Sequence, residues 1–242
     1  MLSPKYLKTY FREGKKLKRE HPQAFSVVRL AKHFLAWQHS LKSGSSPLKD
    51  QTPWMTFHAT LFLERTLTRE MRVYEYGSGG STLFFDKRVL EVVSVEHDPV
   101  WAETVQAALD RENNRHSHLR LVEAEPNELA ANLDAADPEA YVSSDPAFRG
   151  RSFRNYAASI DAYPSAYFDV ILIDGRARPS CFKHAAVKTK TGGWLVLDNA
   201  ERAEYRFIHA SLNNEGWQKR DLAGPGPYNR YFWQTCAWQK MK

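Results

Sequence analysis

From residue 72 onward the chain repeats one pattern: a short, nearly continuous apolar run, then a longer stretch with apolar positions at helical spacing. Runs at 72–76, 92–96, 119–123, 168–174 and 193–198 predict five strands. Continuous rather than alternating apolar character marks strands covered on both faces. Their alternation with helices requires parallel pairing through right-handed crossovers. Two further runs, 217–222 and 231–239, flank the turn-rich Ala223-Gly-Pro-Gly-Pro227 and read as a hairpin. The predicted fold is α/β: a doubly wound, mostly parallel seven-stranded sheet with a C-terminal antiparallel hairpin and an N-terminal helical extension.

Upstream, Phe25, Val28, Leu30, Ala31, Phe34, Leu35 and Trp37 recur at helical spacing and predict an amphipathic helix. Its apolar face is expected to pack on the rest of the chain or on a second copy, as in a homodimer. The turn chemistry of Lys42-Ser-Gly-Ser-Ser-Pro47 ends this segment. The organisation expected is a basic helical extension over 1–50 and a catalytic domain over 51–242. A helix is predicted over 53–64, with Trp54, Phe57, Leu61 and Phe62 on one face and Trp54 in the core; Trp54 and Thr56 are also possible borders of a ligand mouth.

Composition narrows the class. A chain of 242 residues can bury a sizeable core, and its two cysteines, Cys181 and Cys236, form no C-x-x-C, which argues against a zinc site or disulfide framework and for a reducing compartment. No run of 18 apolar residues is present, and the first residues lack the apolar stretch of a signal peptide, so the expected location is cytoplasmic. The net charge of +6 is concentrated in residues 1–50, which carry +8 while the remainder carries −2. A charge run of this kind is usually a solvated helix face, and nucleic acid is not the expected partner.

The chemistry centres on Arg72-Val-Tyr-Glu-Tyr-Gly-Ser-Gly-Gly-Ser-Thr82. An apolar strand feeding a turn with Gly77, Gly79 and Gly80 brings backbone close to a ligand, and a helix opening at Ser81 aims free N–H groups at it. Glu96 follows Gly77 by 19 residues, at the expected end of the next parallel strand, where a carboxylate can accept from both ribose hydroxyls. The nicotinamide fingerprint G-x-G-x-x-G fails, because Thr82 stands at its last position. Glu75, two residues before Gly77, should reach the crevice, where it would repel a pyrophosphate but suit the ammonium of an amino-acid cofactor.

At these residues the chain resembles the class I S-adenosylmethionine-dependent methyltransferases, with Ser81 in place of the last glycine of their usual G-x-G-x-G. The resemblance implies S-adenosyl-L-methionine as cofactor, with Glu75 and the Gly77–Gly80 turn around its methionine half, and Glu96 on its ribose. Ser78, Ser81, Thr82 and His97 complete the expected set, with Asp174 beside it. A final antiparallel pair also belongs to that fold. Just past the third strand, Glu123, Ala124 or Glu125 would flank the adenine.

Asp174 ends the fourth predicted strand, and Asp198-Asn199 end the fifth. Both acids should emerge at the carboxyl edge of the sheet, where such folds bind ligands. Two carboxylates and an amide oxygen there could hold Mg2+ or another divalent cation. The pattern resembles catechol and caffeoyl-CoA type O-methyltransferases, which implies Asp174, Asp198 and Asn199 as metal ligands. Those enzymes place a lysine base three residues after the first Asp. Here Ala177 stands at that position between Arg176 and Arg178. Arginine keeps its proton and binds anions. Either Asp174 itself or His184 serves as base, or the small-molecule acceptor is anionic and held by Arg176 and Arg178.

The long insert over 134–167 reads as a lid or binding loop, with Arg149, Arg151, Arg154 and Tyr156 available to an anion, and Tyr205 is a further wall candidate. Methyl transfer needs positioning and removal of one proton, not a covalent nucleophile. The function expected is O-methylation of a small molecule. The alternatives are a nucleic-acid or protein methyltransferase docked by the basic segment, a non-catalytic binding protein of the same fold, and a nicotinamide oxidoreductase.

Overall fold

The computed structural model describes residues 4–113 and 116–242. The first helices are α1 (Pro4–Glu20) and α2 (Val27–Ser40), followed by α3 (Pro47–Asp50) and α4 (Phe57–Thr66). Serine and threonine caps open the last three: Ser26, Ser46 and Thr56 accept from the backbone N–H three residues on. The sheet segment then runs β1 (Arg72–Tyr76), α5 (Gly80–Asp86), β2 (Glu91–Glu96), α6 (Pro99–Arg111) and β3 (Ser117–Leu121). The insert contributes a two-stranded ribbon, β4 (Glu125–Pro126) with β5 (Arg151–Ser152), and α7 (Arg154–Ala158). Then follow β6 (Phe168–Ile173), α8 (Arg178–Lys188), β7 (Thr189–Leu197), α9 (Arg206–Asn214), β8 (Gln218–Asp221) and β9 (Cys236–Gln239).

The main sheet has seven strands in the order β3-β2-β1-β6-β7-β9-β8. The first five pair in parallel, and β9 is antiparallel to both its neighbours. The order reverses at β1, so the crevice past the carboxyl ends of β1 and β6 is where a ligand is expected. One core layer packs Tyr74, Tyr76, Ile171, Ile173 and Leu197 against α7, α8 and α9; the opposite layer packs Val73, Val92, Val170 and Val196 against α4 and α5. Both sheet faces are covered, as the continuous apolar runs require. No helix among the described residues is long and apolar enough to cross a membrane.

Four local expectations need correction. The third strand lies two residues earlier than predicted, since it is an edge strand with Leu121 exposed and not an apolar run. The helix expected from residue 53 starts at Phe57, because Thr56 caps it; its buried positions are His58, Ala59 and Leu63, while Leu61 is exposed. Along α2, Phe34 and Trp37 point inward as expected, but Val28 and Leu35 are exposed. The link between β8 and β9 is no tight turn. Residues 222–235 leave the sheet, bridge back at Gly224 and Trp233, and meet the N-terminal helices.

That meeting is extensive. Tyr10, Leu17, Phe34 and Trp37 form a buried cluster with Ala223 and Phe232. Trp37 Nε1 donates to Asn229 O at 2.7 Å, Tyr228 N to Ser40 Oγ at 3.1 Å, and the Tyr228 hydroxyl to Asp50 Oδ2 at 2.9 Å.

Candidate active site

A cavity of about 620 Å³ opens past the carboxyl ends of β1, β2, β6 and β7. One wall is the turn from Gly77 to Ser81 with Glu96, His97, Asp98 and Trp101. The opposite wall brings together Asp174, Arg176, Arg178, Asp198, Asn199 and Arg202. Asn229, Tyr231 and Trp233 of the excursion, with Pro47, Trp54 and Phe148, close the rest.

The glycine turn is shaped by two different demands. Gly77 has φ +92°, and a Cβ there would lie 3.2 Å from Gly175 Cα, so the ends of β1 and β6 approach only with glycine. A Cβ on Gly80 would collide with the carbonyl oxygens of Pro47 and Thr52. Gly80 therefore makes room for the α3 segment laid over the turn.

Glu96 holds the turn from the next strand. Its Oε2 accepts from Ser78 N and Ser78 Oγ, both at 3.0 Å; its Oε1 accepts from His97 N at 2.7 Å and Asp98 N at 3.0 Å. Burial pushes the carboxyl up, but these bonds and the adjoining His97 outweigh it and hold it below the usual range. His97 Nδ1 lies 2.7 Å from Glu96 Oε1 without the alignment of a hydrogen bond. Trp101, placed by the Asp98 cap of α6, donates from Nε1 to Ser78 O at 2.8 Å and lies 3.6 Å from the position of a Cβ on Gly79.

Glu75 does not reach the crevice. It is fully buried beneath the turn, where Thr82 Oγ1 and Ser94 Oγ donate to Oε1 while Oε2 has no partner. Burial lifts its carboxyl to about 7 despite these bonds. Thr82 is buried too and accepts from Gly79 N at 3.0 Å, so this pair braces the turn from below.

On the opposite wall Arg178 is buried and spent. It donates to Gly175 O, to Asp198 O, and to Asp174 at both the carbonyl and Oδ1, the last at 2.9 Å. Asp198 is buried as well: its carboxylate accepts from Trp233 Nε1 at 3.0 Å and from Thr235 Oγ1 at 2.5 Å. Burial and the neighbouring Asp174 push it up to about 8. Asn199 Oδ1 accepts from Arg202 Nη2 at 3.3 Å. These three residues do not fit a metal. Asp174 Oδ1, both Asp198 oxygens and Asn199 Oδ1 are already turned to Arg178, Trp233, Thr235 and Arg202, and a guanidinium supplies positive charge beside Asp174 and Asp198. Among the described residues no group of three or more His, Cys, Asp or Glu is arranged to hold a metal ion.

No family model matches the chain, and no curated protein matches it. Solved structures do. An O-methyltransferase from Bacillus cereus in complex with S-adenosylhomocysteine shares 16% identity over 96% of this chain and 99% of its own, with a TM-score of 0.56. A methyltransferase from Geobacter sulfurreducens shares 12% over 87% and 97%, at 0.53. A putative methyltransferase from Streptococcus mutans, also with S-adenosylhomocysteine, shares 11% over 75% and 94%, at 0.50. The chain has the Rossmann-like methyltransferase fold.

In this methyltransferase fold several expected residues sit elsewhere. Glu123 and Ala124 are not on the cavity wall; Ala124 is buried in the core, and Glu125 accepts from Asn155 Nδ2. The ribbon turns this segment away, and Phe148 of the insert faces the cavity instead, stacked edge-on to His97 at 5.0 Å with Arg176 over it at 5.2 Å. Arg149, Arg151 and Arg154 serve the insert itself, at Asn132, Ala124 O and the Tyr141 ring, and Tyr156 is fully buried. His184 bonds Asp161 and Tyr141 away from the cavity, and Tyr205 is buried off its wall. Trp54, expected in the core, is exposed on the wall, whereas Thr56 is buried as a cap. Trp101, Phe148, Arg202, Asn229, Tyr231 and Trp233 carried no signal of their own in the sequence. An Asp-Pro helix start at residues 98 and 99 is the signal that could have found Trp101.

Proposed function

We propose that the protein is an S-adenosylmethionine-dependent methyltransferase acting on a hydroxyl of a small molecule. The observation that carries this reading is the pairing, across one cavity, of the Glu96-braced glycine turn with the partly exposed carboxylate of Asp174. The same fold holds S-adenosylhomocysteine in the Bacillus cereus O-methyltransferase. A dinucleotide is disfavoured because Thr82, buried under the turn, stands where the fingerprint needs its last glycine.

The cofactor, when bound, supplies a methyl group on a positively charged sulfur. The chain then has to place an acceptor oxygen in line, exclude water and take one proton. Glu96 and the turn it braces form the cofactor end, while Trp54, Tyr231 and Trp233 line the rest of the cavity. Asp174 is placed to take the proton: burial raises its affinity for one, Arg178, Arg202 and Arg176 lower it again, and Arg178 fixes its Oδ1. Asp198 is not placed for this, since Trp233 and Thr235 occupy its carboxylate.

Calorimetric titration with S-adenosylmethionine, S-adenosylhomocysteine and NADH tests the reading. Both sulfur compounds should bind, and Glu96→Ala should weaken them roughly 10- to 100-fold, because the turn loses the charged hydrogen bonds to Ser78 that hold it. Tighter binding of NADH, or no binding of either sulfur compound, overturns it.

A further inference from the structure

Beside the main cavity lies a polar side pocket of about 70 Å³ that shares Gly175, Arg176, Arg178 and Arg202 with it. Its remaining wall includes Ser143 and Ser144 of the insert, Glu204, and the first turn of α8. Three guanidiniums thus converge on a space with room for only a few atoms. Their states differ. Arg178 has its donors directed at Gly175, Asp174 and Asp198. Arg176 is paired with Asp145 at 3.2 Å and donates to His97 Nε2 at 3.5 Å. The Arg202 side chain makes one hydrogen bond, the long one to Asn199 Oδ1, and among the described residues no carboxylate stands within ion-pair distance of it.

Two acids share this neighbourhood, Asp174, which pairs with Arg178, and Glu204, whose Oε1 accepts from Ser144 Oγ at 3.0 Å; neither lies within ion-pair distance of Arg202. The α8 helix, eleven residues long, begins in this wall with Ala177 as its N-cap, which offers no side-chain acceptor. Its positive end adds to the field. An exposed arginine fork facing a small polar space is the geometry that recognises a carboxylate or phosphate, through two parallel charge-assisted hydrogen bonds.

We propose that the methyl acceptor is an anion whose carboxylate or phosphate group is held by Arg202 at this side pocket, the rest of the molecule lying in the larger cavity. The proposal rests on the methyltransferase reading for the identity of the occupant, whereas the anion site itself can be probed without it. The side pocket admits a head group but no ring, so the hydroxyl to be methylated lies on the part of the acceptor that remains beside Asp174. Arg202 is a specificity-determining residue, separate from the cofactor wall.

The test is a titration of inorganic phosphate and, in parallel, acetate, at constant ionic strength set with chloride, followed by NMR at the arginine Nε–H resonances. It is run on the full chain with and without S-adenosylhomocysteine. The Arg202 resonance, identified by its loss in Arg202→Lys, should shift saturably. In Arg202→Gln the remaining site resonances should respond with roughly tenfold or weaker affinity, with Arg202→Lys between the two. The stronger of the two anions names the head group. An unchanged amide spectrum and unchanged S-adenosylhomocysteine affinity in Arg202→Gln exclude misfolding as the cause. Binding of S-adenosylhomocysteine with no saturable response to either anion, or an equal response in Arg202→Gln, overturns the anion site alone. Saturable anion binding with no cofactor binding overturns the proposal through the methyltransferase reading instead.

Discussion

The two walls of the cavity are built from chain in opposite ways. The cofactor wall comes from one continuous stretch: Glu75 meets Thr82 and Ser94, Glu96 meets Ser78, and Trp101 meets Ser78, all within residues 72–101. The acceptor wall is collected from distant segments. Asp198 is held by Trp233 and Thr235, Asn229 by Trp37, Tyr228 by Asp50, and Phe232 N by Glu13, the last across 219 residues. A wall made of local contacts keeps its geometry when remote parts change, whereas a wall of remote contacts is only as firm as the packing that joins them.

The largest expected effect follows from cutting that packing. Trp37→Ala removes a fully buried side chain from the cluster with Tyr10, Phe34 and Phe232 and frees Asn229 O. It should destabilise the chain by about 3–5 kcal/mol, read by denaturant unfolding, while leaving S-adenosylhomocysteine affinity unchanged at temperatures where it stays folded. A parallel loss of cofactor affinity would show that the two walls are not separable.

The next sharpens the cofactor wall through pH. Glu75 holds its proton up to about pH 7 in the fold, against 4.5 in the free residue. The folded chain thus keeps a proton that the unfolded chain releases, so this contribution to stability is full below about pH 4.5 and is lost as pH rises through about 7. At its limit the change is about 3 kcal/mol. Glu75→Gln should flatten the unfolding midpoint between these two pH values, and an unaltered slope would remove Glu75 as its source.

The smallest effect tests the edge of the same wall. Trp101→Ala loses one hydrogen bond to Ser78 O and the ring beside Gly79, and should weaken S-adenosylhomocysteine by about 1 kcal/mol, roughly fivefold, in calorimetry. No change would place the ligand away from α6.

This contrast also explains what could be read in advance. The parallel strands, the glycine turn and the place of Glu96 at a strand end were legible because turn and strand end are backbone features encoded within twenty-odd residues. Glu75 lay in the expected place along the strand but at the wrong depth, since Thr82 draws its carboxyl under the turn rather than into the crevice. The acids Asp174 and Asp198 do line one cavity, yet their partners weigh against the metal reading. No spacing rule shows that Arg178 turns back to them or that Trp233 arrives from the far end of the chain. Trp54 looked like core because apolar periodicity cannot distinguish a helix face from the three residues preceding its Thr56 cap.

The clasp between the N-terminal helices and the excursion has a consequence in time. Trp37 and its acceptor Asn229 are 192 residues apart. At ribosomal speeds of about 5–20 residues per second, that interval takes roughly 10–40 s to synthesise. For all of it Tyr10, Phe34 and Trp37 wait without the chain that will cover them, open to chaperones and proteases. These helices are thus sheltered long after they are made, and the acceptor wall is finished only once residues 229–235 have left the ribosome.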